Sequence, residues 1–313
     1  MKKAALFYFI FCSLAFKVIA QDGSVDNWEN DLPPMIANIA YATAKPQDTL
    51  KHWNKEGKFS LLFNQSSFQN WTSGGENNIS GTTSVNFKAD YAKKNWVWNN
   101  QILAAYGLTK INGQDVEKTD DRFEYNSVLG KKAGNDWFYS FFLNFRTQFD
   151  KGYENVTDSI GQTRKVERSR IFSPAYFTFG PGMLWKKSNN LYLNISPATS
   201  KITVVKSIFT ETQSAFSVDQ GKTTNYELGF NGAAYAKLKI MDNIFAENIL
   251  NVYVNYLENT QNVDLSYQLN ITMQVNKVFS TNLNIHIVYD DDAIGRTQLK
   301  QVFGLSVNYD LPI

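Results

Sequence analysis

The sequence predicts an all-β protein: an up-and-down antiparallel transmembrane β-barrel of about 12 strands. Three observations lead there. Long stretches alternate apolar and polar residues with a period of two. The connections between them alternate tight and long. Aromatics make up 15% of the chain, although its mean hydropathy is mildly polar at −0.34. After the first twenty residues no apolar run is long enough for a membrane helix, so a membrane crossing has to be a closed sheet.

The elements follow in chain order. Lys2 and Lys3 precede an apolar run, Ala4 to Phe16, and Val18-Ile19-Ala20 places small side chains before Gln21. Residues 1–20 therefore read as a signal peptide. Cys12, the only cysteine, lies inside that leader, so the expected mature chain has neither disulfides nor thiolate metal sites. Without Lys2, Lys3 and Lys17 the basic count falls from 31 to 28 against 29 acids, a net charge of −1 that does not suit a nucleic-acid partner. Residues 21–55, rich in Asp and Asn and containing Leu32-Pro33-Pro34, read as a loosely ordered periplasmic extension. Residues 56–313 read as the barrel.

Its clearest strand is 263–276, where Val263, Leu265, Tyr267, Leu269, Ile271, Met273 and Val275 alternate with polar residues without a break. At this composition such a run arises by chance with a probability on the order of 10⁻⁴ or less. Similar runs hold Ile79 to Tyr91, Trp96 to Leu108, Trp137 to Phe149, Tyr226 to Ile240 and Leu299 to Leu311. The predicted strands are 57–66, 78–92, 95–109, 121–132, 136–149, 174–186, 190–205, 223–240, 243–257, 262–277, 281–290 and 297–311. Globular strands usually run to about six residues and tilted membrane strands to about nine to eleven, so these lengths favour the membrane case over a soluble sandwich.

Tight connections fall at Lys93-Lys94, Ala133-Gly134-Asn135, Lys187-Ser188-Asn189, Met241-Asp242 and Phe279-Ser280. Longer polar ones fall at 67–77, 110–120, 150–173, 206–222, 258–261 and 291–296. Short turns at one end and long loops at the other predict an outer-membrane barrel with both termini in the periplasm. Three turns repeat a basic pair flanked by rings: Tyr91…Lys93-Lys94…Trp96, Lys131-Lys132…Trp137 and Trp185-Lys186-Lys187…Tyr192. Rings in the headgroup zone and lysines reaching phosphates account for the pairing.

The first hairpin reads Phe63-Asn64-Gln65-Ser66…Asn70-Trp71-Thr72-Ser73-Gly74-Gly75-Glu76-Asn77-Asn78. With the leader and the repeated basic turns, it resembles the DUF3078 family of exported Bacteroidota proteins. The resemblance implies location and architecture and brings no activity with it. The chain ends Tyr309-Asp310-Leu311-Pro312-Ile313, without the terminal aromatic residue that marks many outer-membrane barrels for insertion.

Chemistry is sparse. A barrel hydrolase, such as an outer-membrane lipid hydrolase, needs a nucleophile beside a base. The chain has two histidines: His52 before the first strand and His286 on the polar parity of its own. No enzyme, cofactor or metal site is expected. Asp290-Asp291-Asp292 reads as a solvated turn, and Gly180-Pro181-Gly182 as a bend within a strand rather than a phosphate loop. The inward parity instead collects charge: Lys88, Asp90, Glu124, Arg146, Glu227, Lys237, Glu247 and Lys300, together with His286. Two readings stand side by side. One is a narrow passive pore for small polar solutes. The other is a non-conducting structural or surface-binding barrel braced by its own ion pairs. The expected partners are outer-membrane lipid and, during insertion, the barrel-assembly machinery. Asp48-Thr49-Leu50 and Asp158-Ser159-Ile160 resemble O-glycosylation triplets.

Overall fold

The computed structural model describes residues 52–67, 76–157, 161–188, 190–258, 260–289 and 296–312. The leader, most of the extension, both glycosylation triplets, residues 68–75 of the first hairpin and Asp290-Asp291-Asp292 lie outside the described residues.

Fourteen strands are described in chain order: β1 (Trp53–Ser66), β2 (Asn78–Lys93), β3 (Trp96–Ile111), β4 (Val116–Lys132), β5 (Trp137–Thr147), β6 (Gly152–Thr157), β7 (Thr163–Ser169), β8 (Ala175–Ser188), β9 (Leu191–Val204), β10 (Thr224–Met241), β11 (Ile244–Asn255), β12 (Asp264–Gln274), β13 (Phe279–Tyr289) and β14 (Gln298–Asp310). Twelve of them close into one antiparallel barrel in which each pairs with its neighbour in sequence. β5 meets β8 across an insertion, and β14 returns to β1. Closure removes the sheet edges that hydrocarbon cannot satisfy.

Several boundaries differ from the expected ones. β1 begins at Trp53, inside the stretch read as extension, because Trp53, Asn54 and Lys55 pair with Tyr91, Asp90 and Ala89. β4 starts at Val116 and carries a bulge where Gly107/Leu108 meet Asp120/Lys118, so the expected loop 110–120 shrinks to a four-residue turn. The expected loop 150–173 contains a ribbon, β6 paired with β7, that stands apart from the barrel. The Gly180-Pro181-Gly182 bend is present. Three residues of β8 (180–182) face four of β9 (196–199), and a Cβ on Gly180 or Gly182 would lie 2.5 Å from a β9 carbonyl oxygen. Only glycine allows that approach.

Adjacent strands share ten or more paired positions almost everywhere, and sixteen between β2 and β3. The β1–β14 junction pairs over six, Lys58–Phe63 with Leu305–Asp310. There a Cβ on Gly304 would sit 3.0 Å from a Leu62 methyl carbon.

The outward face is apolar and ringed at both ends. Near the tight turns Trp53 packs on Tyr91 and Trp98, with centroids 5.2 and 5.7 Å apart, and Lys131 Nζ lies 5.6 Å from the Trp96 ring. At the other end Phe145 contacts Phe123, Phe172 and Phe177. On β3, Trp98 and Tyr106 mark the two girdles. Eight residues span about 27 Å along a strand and, at a tilt near 40°, about 20 Å of height, close to an apolar membrane band. Polar side chains on this face bond one another. The Tyr125 and Ser127 hydroxyls donate to Asn100 Oδ1 at 2.8 and 3.1 Å, and the Trp98 indole N–H donates to Ser127 Oγ at 2.9 Å.

Candidate functional site

Backbone register turns the complementary face of every strand inward, and all nine expected lumen residues lie on it. They occur as cross-strand neighbours. Glu124 stands opposite Arg146, Lys237 opposite Glu247, His286 opposite Lys300, and Glu227 opposite Lys201. Lys88 faces Gln101, and Asp90 faces Asn99. Opposite charges directly across a pair stabilise a sheet, and Lys237–Glu247 and Lys201–Glu227 have bonded geometry. Lys237 Nζ reaches Glu247 at 3.0 Å, and Lys201 Nζ reaches Glu227 at 3.1 Å. Asn99 donates to Asp90 at 2.6 Å. Glu124, fully buried, accepts from Asn126 at 3.0 Å and from Asn144 at 2.9 Å.

The lumen is not uniformly polar. Toward the tight turns, Val128, Phe142, Leu184, Tyr192, Ala233, Tyr235 and Ile249 form a buried apolar cluster, with Phe138 packed on it. All belong to the inward faces of β4, β5 and β8–β11. Tyr192 and Tyr235 stack at 4.9 Å. This side of the interior is filled.

The opposite wall is open. A cavity of about 660 Å³ runs along β12–β14 and β1–β5. Its lining begins near the tight-turn end at Lys58, Thr272, Asn282 and Asn308 and reaches Thr119 and Lys300 near the long loops. From Asn308 to Lys300 is eight residues of β14, about 27 Å along the strand. Of the nine expected residues, Arg146, Glu247, His286 and Lys300 line this cavity. Lys88, Asp90, Glu124, Glu227 and Lys237 do not. Lys58, Asp120, Asp121 and Arg122 line it as well and were missed. The parity that selects Glu124 also selects Arg122, two residues earlier, so that signal was present.

His286 Nε2 lies 2.9 Å from Ser266 Oγ. A Ser–His dyad works when a carboxylate orients the imidazole and balances its charge. The charged groups around His286 are Arg122, Lys300 and Arg146.

The long-loop rim carries a separate network that holds the ribbon. Asp121 accepts from the backbone amides of Phe149 and Asp150 at 2.8 and 2.9 Å and pairs with Lys118 at 2.6 Å. Within the ribbon Glu167 pairs with Arg170 at 2.5 Å and with Lys151 at 3.1 Å, Arg168 pairs with Glu154, and Lys165 reaches Asp115 at 2.8 Å. Hydrogen bonds from the Tyr106 hydroxyl and the Lys151 amide hold the Asp150 carboxyl below its ordinary 3.8. Burial pushes Glu167 up, but hydrogen bonds from Arg170 and Lys151 outweigh it and hold the group below 4.5. Depressed carboxylates stabilise the folded state above their unfolded values and lose that contribution as pH falls through their folded ones. Ribbon amides are therefore expected to lose hydrogen-exchange protection, corrected for intrinsic rate, as pH drops below about 4.5, while barrel strands keep theirs. Simultaneous loss in both would count against an independently held ribbon.

Residues 63–153 match the family described as "Protein of unknown function (DUF3078)". The matched segment takes in the end of β1, all of β2–β5 and the first residues of the ribbon, and so includes Arg122, Glu124, Arg146 and, at the rim, Lys118, Asp121 and Asp150. No curated protein matches the chain in sequence. Among solved structures, an outer membrane channel from Pseudomonas putida F1 is similar at 9% identity and a TM-score of 0.40, covering 85% of this chain and 98% of that one. The translocator domain of the autotransporter NalP from Neisseria meningitidis is similar at 9% and 0.37, covering 85% and 90%. OmpF of Salmonella typhi, in complex with daunomycin, is similar at 8% and 0.31, covering 83% and 97%. The likeness is to the barrel form alone.

Proposed function

We propose that this chain is an outer-membrane barrel, with both termini in the periplasm, that passes small polar solutes along one wall of its lumen. One observation carries the reading: polar side chains, set among apolar ones such as Leu62 and Leu103, line the cavity from Lys58 and Asn308 at one end to Lys300 and Thr119 at the other. The apolar exterior with its two ringed ends supports the membrane setting, and the tight-turn end, where β1 begins and β14 ends, suits the periplasm. The filled wall makes the route narrow. A lumen half packed with side chains suits small solutes, because larger ones would have to displace buried Phe142 or Leu184.

Reconstitution in planar bilayers tests this. Protein that shows heat-modifiable gel mobility, and is therefore folded, is expected to give discrete conductance steps, smaller than those of a wide porin. Ser60→Trp, placed on the cavity wall, is expected to lower them. Absence of steps from folded protein would favour the second reading, a closed barrel braced by the Glu124, Glu227 and Glu247 networks.

A further inference from the structure

We infer that the solute is a small anion, recognised through its carboxylate or phosphate oxygens by a cationic constriction of Arg122, Arg146, His286 and Lys300. The inference rests on the pathway reading above and names what the pathway takes.

Four strands supply the site: β4 gives Arg122, β5 Arg146, β13 His286 and β14 Lys300. All four side chains line the one cavity. Lys300 leaves β14 and crosses the interior, its Nζ lying 3.4 Å from the Thr119 carbonyl on β4. Arg122, Arg146 and Lys300 are the charges that surround His286. Two adjacent strands, β4 and β5, and a third that is remote from them in sequence, β14, thus bring positive charge to one level of the lumen, where the passage is crossed by a side chain.

The acids nearby are mostly committed. Asp121 holds Lys118 and the amides of Phe149 and Asp150 at the rim. Glu247 accepts from Lys237 and from the Tyr235 hydroxyl, both at 3.0 Å. Glu124 accepts from Asn126 and Asn144 and stands opposite Arg146, so it offsets that cation. Arg146 also lies over the Tyr176 ring at 4.8 Å, which fixes its plane. Asp120, on the cavity wall, offsets one further charge. At this level Arg122, Arg146 and Lys300 are three cations set against the two acids Glu124 and Asp120, and His286 adds a ring nitrogen.

Arg122 supplies the second indication. Its Nε is buried and has no hydrogen-bond partner among the described residues. A buried donor of that kind needs an acceptor, and an anion oxygen in the cavity would provide one. A guanidinium pair with a lysine opposite is the donor set that carboxylate and phosphate oxygens take, and rings of Arg and Lys select anions in pores.

The test measures reversal potential in a potassium chloride gradient, then block of the chloride current by inorganic phosphate or succinate at equal ionic strength. The wild type is expected to prefer chloride over potassium by about threefold or more, and Arg122→Gln/Lys300→Gln to fall to about parity. Phosphate and succinate are expected to block the wild type and not the double variant. Stronger block by one of them assigns the head group. Cation preference, or an anion preference that the double variant keeps, overturns the inference while leaving the pathway standing. If folded protein gives no conductance, thermal unfolding in detergent decides. Stabilisation by phosphate or succinate in the wild type alone supports the anion site and removes the pathway. No shift in either protein removes both.

Discussion

Phe142→Ala is expected to destabilise the barrel by about 3–5 kcal/mol and to widen the route through it. Phe142 is 1% exposed, faces inward from β5, and packs with Val128, Leu184 and Phe138 in the layer that fills the interior beside the tight turns. Removing its ring leaves a hole that neighbours anchored to a closed sheet cannot collapse into. If water enters the gap, the cost moves to the lower end of the range and the conductance gain to the upper. Urea titration in vesicles gives the first quantity and bilayer recording the second. Stability lost with conductance unchanged would mean that the packed layer does not border the passage. Phe142→Leu, which keeps most of the volume, should change both far less.

Ile102→Arg should cost about 2–4 kcal/mol, because its side chain leaves the middle of β3 on the lipid side, halfway between the Trp98 and Tyr106 girdles. Its neighbours across the sheet are Phe87 and Tyr125, neither of which can pair with a cation deep in hydrocarbon. Ser84→Arg, on the adjacent strand but facing the cavity, is expected to leave stability nearly intact and to cut conductance. The comparison separates the two faces of one sheet. A stable Ile102→Arg beside an unfolded Ser84→Arg would invert inside and outside.

The shell was legible because lipid and water write alternate letters. Leu265 to Met273 on β12 needed nothing beyond a period of two, and the strand count followed from the turns. The packed layer was not legible. Around Phe138-Tyr139-Ser140-Phe141-Phe142-Leu143 both faces are apolar, so the alternation fades where the interior is dry and the residues read as one more lipid-facing run. The ribbon β6–β7 was also missed. Its short strands are held by ion pairs such as Arg170 with Glu167, and charges in a polar loop look the same with or without a partner. The cationic constriction was half visible. Parity gave Arg146, His286 and Lys300 their direction, but Lys300 meeting Thr119 across 181 residues depends on how far a side chain reaches over the interior.

The six-residue junction between β1 and β14 has a consequence for how the molecule comes together. Ser60 and Asn308, which bond there, are 248 positions apart, so closing this junction carries a large loop-closure cost and is expected to come late in folding. With fewer paired positions than its neighbours, the same junction is expected to be the first to open under heat or denaturant. The first and last barrel strands, and not the long middle of the sheet, are therefore expected to time the moment at which the interior is sealed from the bilayer.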